Sequence, residues 1–248
     1  MDSWITSTDR CLLVAAAPKE CDAVLRAFEL QSCEQQASEP HGFERNGSQI
    51  QFGQVVPLDH RFDLLCGGVG KSASAASTSR ALTIKQYGAV ISVGIAGALP
   101  SEHPLSIGDS IVATRSVFSD EGIGAPDGFI PLSEIGFAPF ANNEMGIDHD
   151  PDLVAFLASL TSDIGTIATV SWCSGDDGCA EGVVARTGAV AEAMEGASVA
   201  LAAQLVDQTI RTSELRVISN TTGNRDKQVW DLDASLKALT QVIGSLRS

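Results

Sequence analysis

Short apolar runs alternate with helical stretches along the chain. Leu12-Leu13-Val14-Ala15-Ala16 reads as a buried first strand. Pro18 opens a helix through about Leu30, with proline at an early helical position. Residues 31–60 are polar, with a weak strand around Gln49 to Val56. Phe62 to Cys66 is the next strand. It runs into Gly67-Gly68-Val69-Gly70-Lys71-Ser72 and an Ala/Ser-rich helix to about Gln86. Ala89 to Gly94 is a fully apolar strand ending in Gly94-Ile95-Ala96-Gly97-Ala98, and Ser110 to Thr114 is another strand. Residues 118–149, rich in Gly, Pro, Asn and Asp, form the longest irregular span, and loops of that length are usually functional or disordered. Asp152 to Leu160 reads as helix and Thr166 to Trp172 as strand. Ala189 to Ala193 leads into a helix from about Met194 to Val206. Val217 to Ser219 is the last core strand and Asp233 to Leu246 the last helix.

This alternation predicts a three-layer α/β/α sandwich around a mixed, largely parallel sheet. No internal repeat or low-complexity linker interrupts it. One domain over residues 1–248, with its core at about 11–246, is the simplest reading for 248 residues with 44% hydrophobic content.

Charge narrows the partners. A net charge of −15 disfavours nucleic acid and anionic membrane surfaces. The chain has no run of about 18 apolar residues, so a membrane span is not expected. The stretch M-D-S-W-I-T-S-T-D-R lacks a basic region followed by an apolar one, so no secretory signal is expected there. None of the six cysteines forms a C-x-x-C pair. Cys11 and Cys66 sit in apolar strand-like runs and read as small core residues. Cys173 and Cys179 flank S-G-D-D-G, where a strained disulfide or a metal site is the less favoured alternative to free thiols. The four histidines (His41, His60, His103, His149) are scattered, which argues against a metalloenzyme. A reducing cytoplasm fits this usage.

Candidate chemistry lies at four strand ends. The stretch Arg216 to Asp231 carries an amide, a guanidinium, a carboxylate and an indole within eleven positions, Asn220 to Trp230. In a parallel α/β sheet, the loop past a strand's carboxyl end is where ligands bind. That set of groups suits a flat polar heterocycle better than a phosphate or a metal; a solvated surface loop is the bland alternative. Glu20 falls in the first turn of a helix, where a carboxylate often does no more than complement the dipole. The Gly67–Ser72 loop has neither P-loop nor G-x-G-x-x-G spacing. Glu195 stands among Met194, Gly196 and Ala197, where a charge is costly to bury without a ligand or partner.

Taken in order, Pro18-Lys19-Glu20, G-G-V-G-K-S, V-G-I-A-G-A-L, A-M-E-G-A-S-V-A and R-V-I-S-N resemble the nucleoside phosphorylase and nucleosidase superfamily over about residues 11–246. Within it, S-N-T-T-G-N-R-D-K-Q-V-W-D-L most resembles the futalosine hydrolase family, whose reaction frees hypoxanthine from futalosine in menaquinone biosynthesis. The related methylthioadenosine/S-adenosylhomocysteine nucleosidases carry Asp where this chain has Asn220. The resemblance implies that Glu20 activates water, Glu195 accepts hydrogen bonds from the ribose hydroxyls and Met194 lies against the sugar. Gly94, Ile95, Ala96 and Gly97 would line base and ribose, Asn220 would recognise the purine and Trp230 would close over it. A homodimer is expected on the same ground.

The chemistry agrees with these expectations. N-glycosidic cleavage passes through an oxocarbenium-like state that carboxylates stabilise. An Asn cannot protonate a leaving purine as an Asp can, but its amide can meet the O6 of hypoxanthine. Asp226 is one candidate for the missing acid, unless Arg225 and Lys227 hold it as an ion pair. Arg225 or Lys227 could also meet the substrate's carboxylate tail. Glu20 beside Lys19 would repel a phosphate dianion, and Lys71 is the only cation of the glycine loop, so water is favoured over phosphate as nucleophile. No metal and no cofactor is expected. The rival readings are a methylthioadenosine/S-adenosylhomocysteine nucleosidase, a purine phosphorylase, and a non-catalytic nucleoside-binding protein.

Overall fold

The computed structural model describes residues 10–35 and 50–247. In chain order the elements are β1 (Cys11–Ala15), α1 (Pro18–Gln35), β2 (Val55–Pro57), β3 (Phe62–Cys66), α2 (Lys71–Ile84), β4 (Ala89–Ala98) and β5 (Ser110–Phe118). Then come β6 (Gly122–Ala125), β7 (Gly128–Pro131), β8 (Gly146–Asp148), α3 (Pro151–Ala158), β9 (Asp163–Thr169) and α4 (Asp177–Thr187). The chain finishes with β10 (Ala191–Ala193), α5 (Gly196–Val206), β11 (Arg211–Thr221) and α6 (Leu232–Ser245).

The main sheet runs β10-β9-β5-β11-β4-β1-β3-β2, with β8 paired to β5. β1 lies parallel to β3 and β4, β11 parallel to β4, and β5 parallel to β9, while β11–β5 and β2–β3 are antiparallel. The sheet is mixed, as expected, but not open. β10 also pairs antiparallel with the far end of β4, setting Glu192 opposite Gly97. The strand ends β4, β11, β5, β9 and β10 therefore close into a ring around one end of the sheet.

Alternation along β1 explains the layers. Leu13 and Ala15 join a core with Cys21, Val24, Leu236, Leu239 and Ile243 of α1 and α6, whereas Leu12 and Val14 join Ala81, Leu82, Val199 and Ala203 of α2 and α5. Successive strand residues face opposite sides, so a strand covered on both faces reads as a continuous apolar run. Cys11 and Cys66 are buried in this core.

Four expectations change. β4 continues through Ala98 rather than ending at Gly94, because β11 stays paired alongside it to Thr221. β11 itself begins at Arg211 and so includes buried Glu214 and Arg216. The span 118–149 is not irregular throughout: β6 and β7 form a hairpin and β8 joins the sheet. The S-G-D-D-G stretch opens helix α4, because Asp176 caps it by accepting from the Cys179 N–H at 2.8 Å. Cys173 and Cys179 are free thiols. The strand expected around Gln49 to Val56 lies partly outside the described residues; within them residues 50–54 are turn and coil, and only Val55 and Val56 enter β2.

Candidate active site

Strand ends β1, β4, β10 and β11 and the first turn of α6 surround a cavity of about 540 Å³. Its walls include Glu20, Ile95, Ala96, Gly97, Met194, Glu195, Asn220 and Trp230. These eight residues come from four separate stretches of sequence, and the ring closure of the sheet brings them together.

Glu20 sits in the first turn of α1 and is 5% exposed. Its two oxygens accept from the backbone N–H groups of Ala17 at 2.7 Å and Ile95 at 2.8 Å. Burial, reinforced by Glu195, pushes the Glu20 carboxyl above the ordinary glutamate value against the pull of Arg216 and the two N–H groups. Gly94 does not line the cavity. It lies behind Glu20, where a Cβ would stand 2.3 Å from Glu20 Oε1 and 2.7 Å from Arg216 Nη1. Only glycine lets these two charged groups converge.

Glu195 lies at the start of α5 and is 5% exposed. Its Oε1 accepts from the Gly70 N–H at 3.0 Å, and its Oε2 stands 3.3 Å from Arg216 Nη1. Thus the glycine loop positions a carboxylate rather than cradling a phosphate. Arg216 is fully buried; its Nε donates to Glu214 Oε1 at 2.8 Å and its Nη2 to Ser92 Oγ at 2.8 Å. Burial works against its charge, but Glu214, Glu195 and Glu20 outweigh that and hold it above its ordinary value. Glu214 also hydrogen-bonds Ser116 Oγ, which is 2.7 Å from His149 Nε2. Gly196 leaves room for this carboxylate, since a Cβ there would stand 1.8 Å from Glu214 Oε2.

Across the cavity, β11 shifts register between Ile218 and Asn220 and so turns its last side chains. Asn220 accepts from Ser219 Oγ at 2.8 Å and donates to the Thr221 carbonyl at 2.9 Å. Trp230 bridges to Asn220, remains 48% exposed at the cavity mouth, and donates from its indole N–H to Gln228 Oε1 at 3.1 Å. Arg225 does not line the cavity. Its guanidinium stacks over the Trp230 ring at 5.2 Å. Asp226 is exposed on the 3-10 turn Arg225–Lys227, outside the cavity lining, so the geometry does not bring it to a leaving group.

Two features escaped the sequence. Glu192 is a buried carboxylate in the cavity wall, accepting from the Ser174 N–H and Oγ, each at 2.7 Å. Burial raises its carboxyl against those two donors. Its neighbours Ala191 and Ala193 made it look like one polar position in an apolar strand. Secondly, Lys71 is already engaged: it pairs with Asp120, with Glu121 at 3.3 Å, and lies 5.1 Å above the Phe118 ring. Lys19 is exposed at the cavity edge.

The Phosphorylase superfamily model matches residues 10–246. The chain belongs to the phosphorylase superfamily. A futalosine hydrolase of Acidothermus cellulolyticus is 36% identical over 242 residues, covering 95% of this chain and 89% of that protein. One of Streptomyces coelicolor is 36% identical over 245 residues, covering 95% and 94%. Those two relatives put the chain in the futalosine hydrolase family of that superfamily. The superfamily fold is seen again in the Helicobacter pylori 5'-methylthioadenosine/S-adenosylhomocysteine nucleosidase bound to butyl-thio-DADMe-Immucillin-A. That structure has a TM-score of 0.69, 22% identity and coverage of 96% of this chain and 97% of that one. A futalosine hydrolase mutant of Helicobacter pylori gives a TM-score of 0.69, 22% identity and 97% coverage of both.

Proposed function

We propose that this protein is a futalosine hydrolase, an N-glycosyl hydrolase that frees hypoxanthine from futalosine with water as the nucleophile. The observation that carries the reading is the Glu20 carboxylate, buried in the cavity wall and fixed by two backbone donors opposite Asn220. A carboxylate pushed above its ordinary value is a stronger base near neutral pH, as deprotonation of an attacking water requires.

Each neighbour takes a role that its surroundings support. Glu195 grips the ribose hydroxyls and, with Glu20, stabilises positive charge on the sugar as the bond breaks. Arg216 keeps the two carboxylates side by side without neutralising both. Met194 packs against the sugar, and Asn220 meets the base. Trp230, steadied by Arg225, closes over the base. Arg225 therefore serves the substrate indirectly.

Water is favoured over phosphate because Lys71 is committed to Asp120 and Glu121. A phosphate dianion would also face Glu20 and Glu195. The same reading places the enzyme in menaquinone biosynthesis and in the cytoplasm, which the free thiols Cys173 and Cys179 suit. A homodimer would cover exposed apolar groups, Val69 in the cavity wall and Trp172 next in sequence to the wall residue Cys173.

Base release by the purified protein, hypoxanthine from futalosine and inosine and adenine from methylthioadenosine, tests the reading. Futalosine should have the highest kcat/KM by at least tenfold. Preferential cleavage of methylthioadenosine would replace this assignment with the adenine-releasing one.

A further inference from the structure

Glu192 takes no part in the chemistry above, yet it lines the same cavity. It is 3% exposed, and among the described residues no lysine or arginine is ion-paired with it. A buried carboxylate without a cation calls for hydrogen-bond donors, and two come from Ser174. Further lone pairs remain, since an ionised carboxylate accepts about four hydrogen bonds.

Its position is set by the sheet. The antiparallel β10–β4 pairing holds Glu192 opposite Gly97. A Cβ on Gly97 would stand 3.1 Å from Asn220 Nδ2 and 3.6 Å from Glu192 Cγ. Thr222 Cγ2 would be nearer still, at 2.8 Å, so glycine is what lets the Asn220 amide and the Glu192 stem come together at this point of the cavity wall. A flat heterocycle edge carrying an acceptor beside a donor matches that amide and carboxylate.

We propose that Glu192 is the residue that selects a 6-oxopurine: it accepts the ring N1–H while Asn220 donates to O6. This inference rests on the purine reading above. Adenine presents the reverse pattern, an unprotonated N1 and an amine. Asn220 could turn its amide to meet the amine. Glu192, while ionised and accepting from the Ser174 N–H and Oγ, has no proton to give N1. Two acceptors would face each other with no proton between them, so the choice of base rests on Glu192 more than on Asn220.

Calorimetric titration of the purified protein with hypoxanthine and with adenine tests this, using wild type, Glu192→Gln and Ser174→Ala. Wild type should bind hypoxanthine about 10²-fold more tightly or better, the scale expected when a buried polar group is left unpaired. Glu192→Gln, whose amide can donate to adenine N1, should shrink that ratio at least tenfold. Ser174→Ala should move it the same way by less, and it carries the test if the Gln variant does not fold. A ratio unchanged in the folded variants, or no preference in wild type, overturns the proposal. Futalosine turnover in the same preparations separates the two readings. A Glu192-dependent preference without hypoxanthine release sinks the proposed substrate alone; release with a preference indifferent to Glu192 sinks the specificity role alone.

Discussion

Glu195 stands 3.3 Å from Arg216, and through that contact one wall of the cavity leans on a buried charge cluster. Arg216 is the cation common to Glu195, Glu20 and Glu214. Replacing it with Met would leave these carboxylates buried without their counter-charge. Arg216→Met should lose about 3–5 kcal/mol of stability in urea unfolding, the usual scale for breaking a buried ion pair from one side. Arg216→Lys should recover only part, because Lys cannot serve Glu214, Ser92 and Glu195 with one planar fork.

Glu20→Gln keeps shape and removes the proposed base. Its kcat on futalosine should fall about 10³-fold with KM within a few-fold of wild type, the pattern of a group needed in the transition state. In wild type, Glu20 must be ionised to act, and its carboxyl is raised by burial and by Glu195. The acid limb of the kcat/KM profile should therefore fall above the ordinary glutamate range. Near-wild-type turnover in the Gln variant would end the base assignment.

Asn220→Asp places a carboxylate where an amide now donates to the Thr221 carbonyl, across Gly97 from Glu192. Hypoxanthine release should drop by about 10²-fold, because two acceptors would face the base and neither could donate to O6 while ionised. Steady-state kinetics on futalosine checks it.

His149 gives a stability prediction. It is buried between Ser116 Oγ and Thr212 Oγ1, and burial lowers its pKa to about 4 from an ordinary 6.5. The unfolded chain then binds a proton that the folded chain refuses as pH falls from 6.5 to about 4. Stability from this residue is present above 6.5 and is lost through that window, by about 3 kcal/mol in all. Glu20, Glu192 and Glu214 have raised carboxyls and act in the opposite sense, gaining stability as pH falls. The difference between wild type and His149→Gln isolates the histidine: the gap in unfolding free energy should narrow from pH 7 to pH 4. A gap independent of pH would mean that the ring has the same pKa in the folded and the unfolded chain.

The sequence made β1, β3, α2 and the ends of the sheet legible because buried strands read as apolar runs with glycines after them. Glu20, Glu195, Asn220 and Trp230 could be picked out as polar groups at strand ends, and they do share one cavity. Four features could not be read that way. Glu192 depends on β10 folding back onto β4, a pairing that no local pattern announces. Glu214 and Arg216 alternate along a strand like surface residues and are buried because they satisfy each other and are met by Ser116, Ser92 and Glu195. Asp226 was one candidate for the leaving-group acid, but on the 3-10 turn Arg225–Lys227 it is exposed and lies outside the cavity lining. Gly94 looked like a cavity liner and instead gives Glu20 and Arg216 room to meet.

The most direct test of hydrolysis at Glu20 is the phosphate dependence of hypoxanthine release from futalosine, followed in phosphate-free buffer and again with phosphate in excess. The structure predicts full activity without phosphate, no acceleration when it is added, and loss of both rates in Glu20→Gln. Turnover that starts only with phosphate and yields a sugar phosphate would contradict the account.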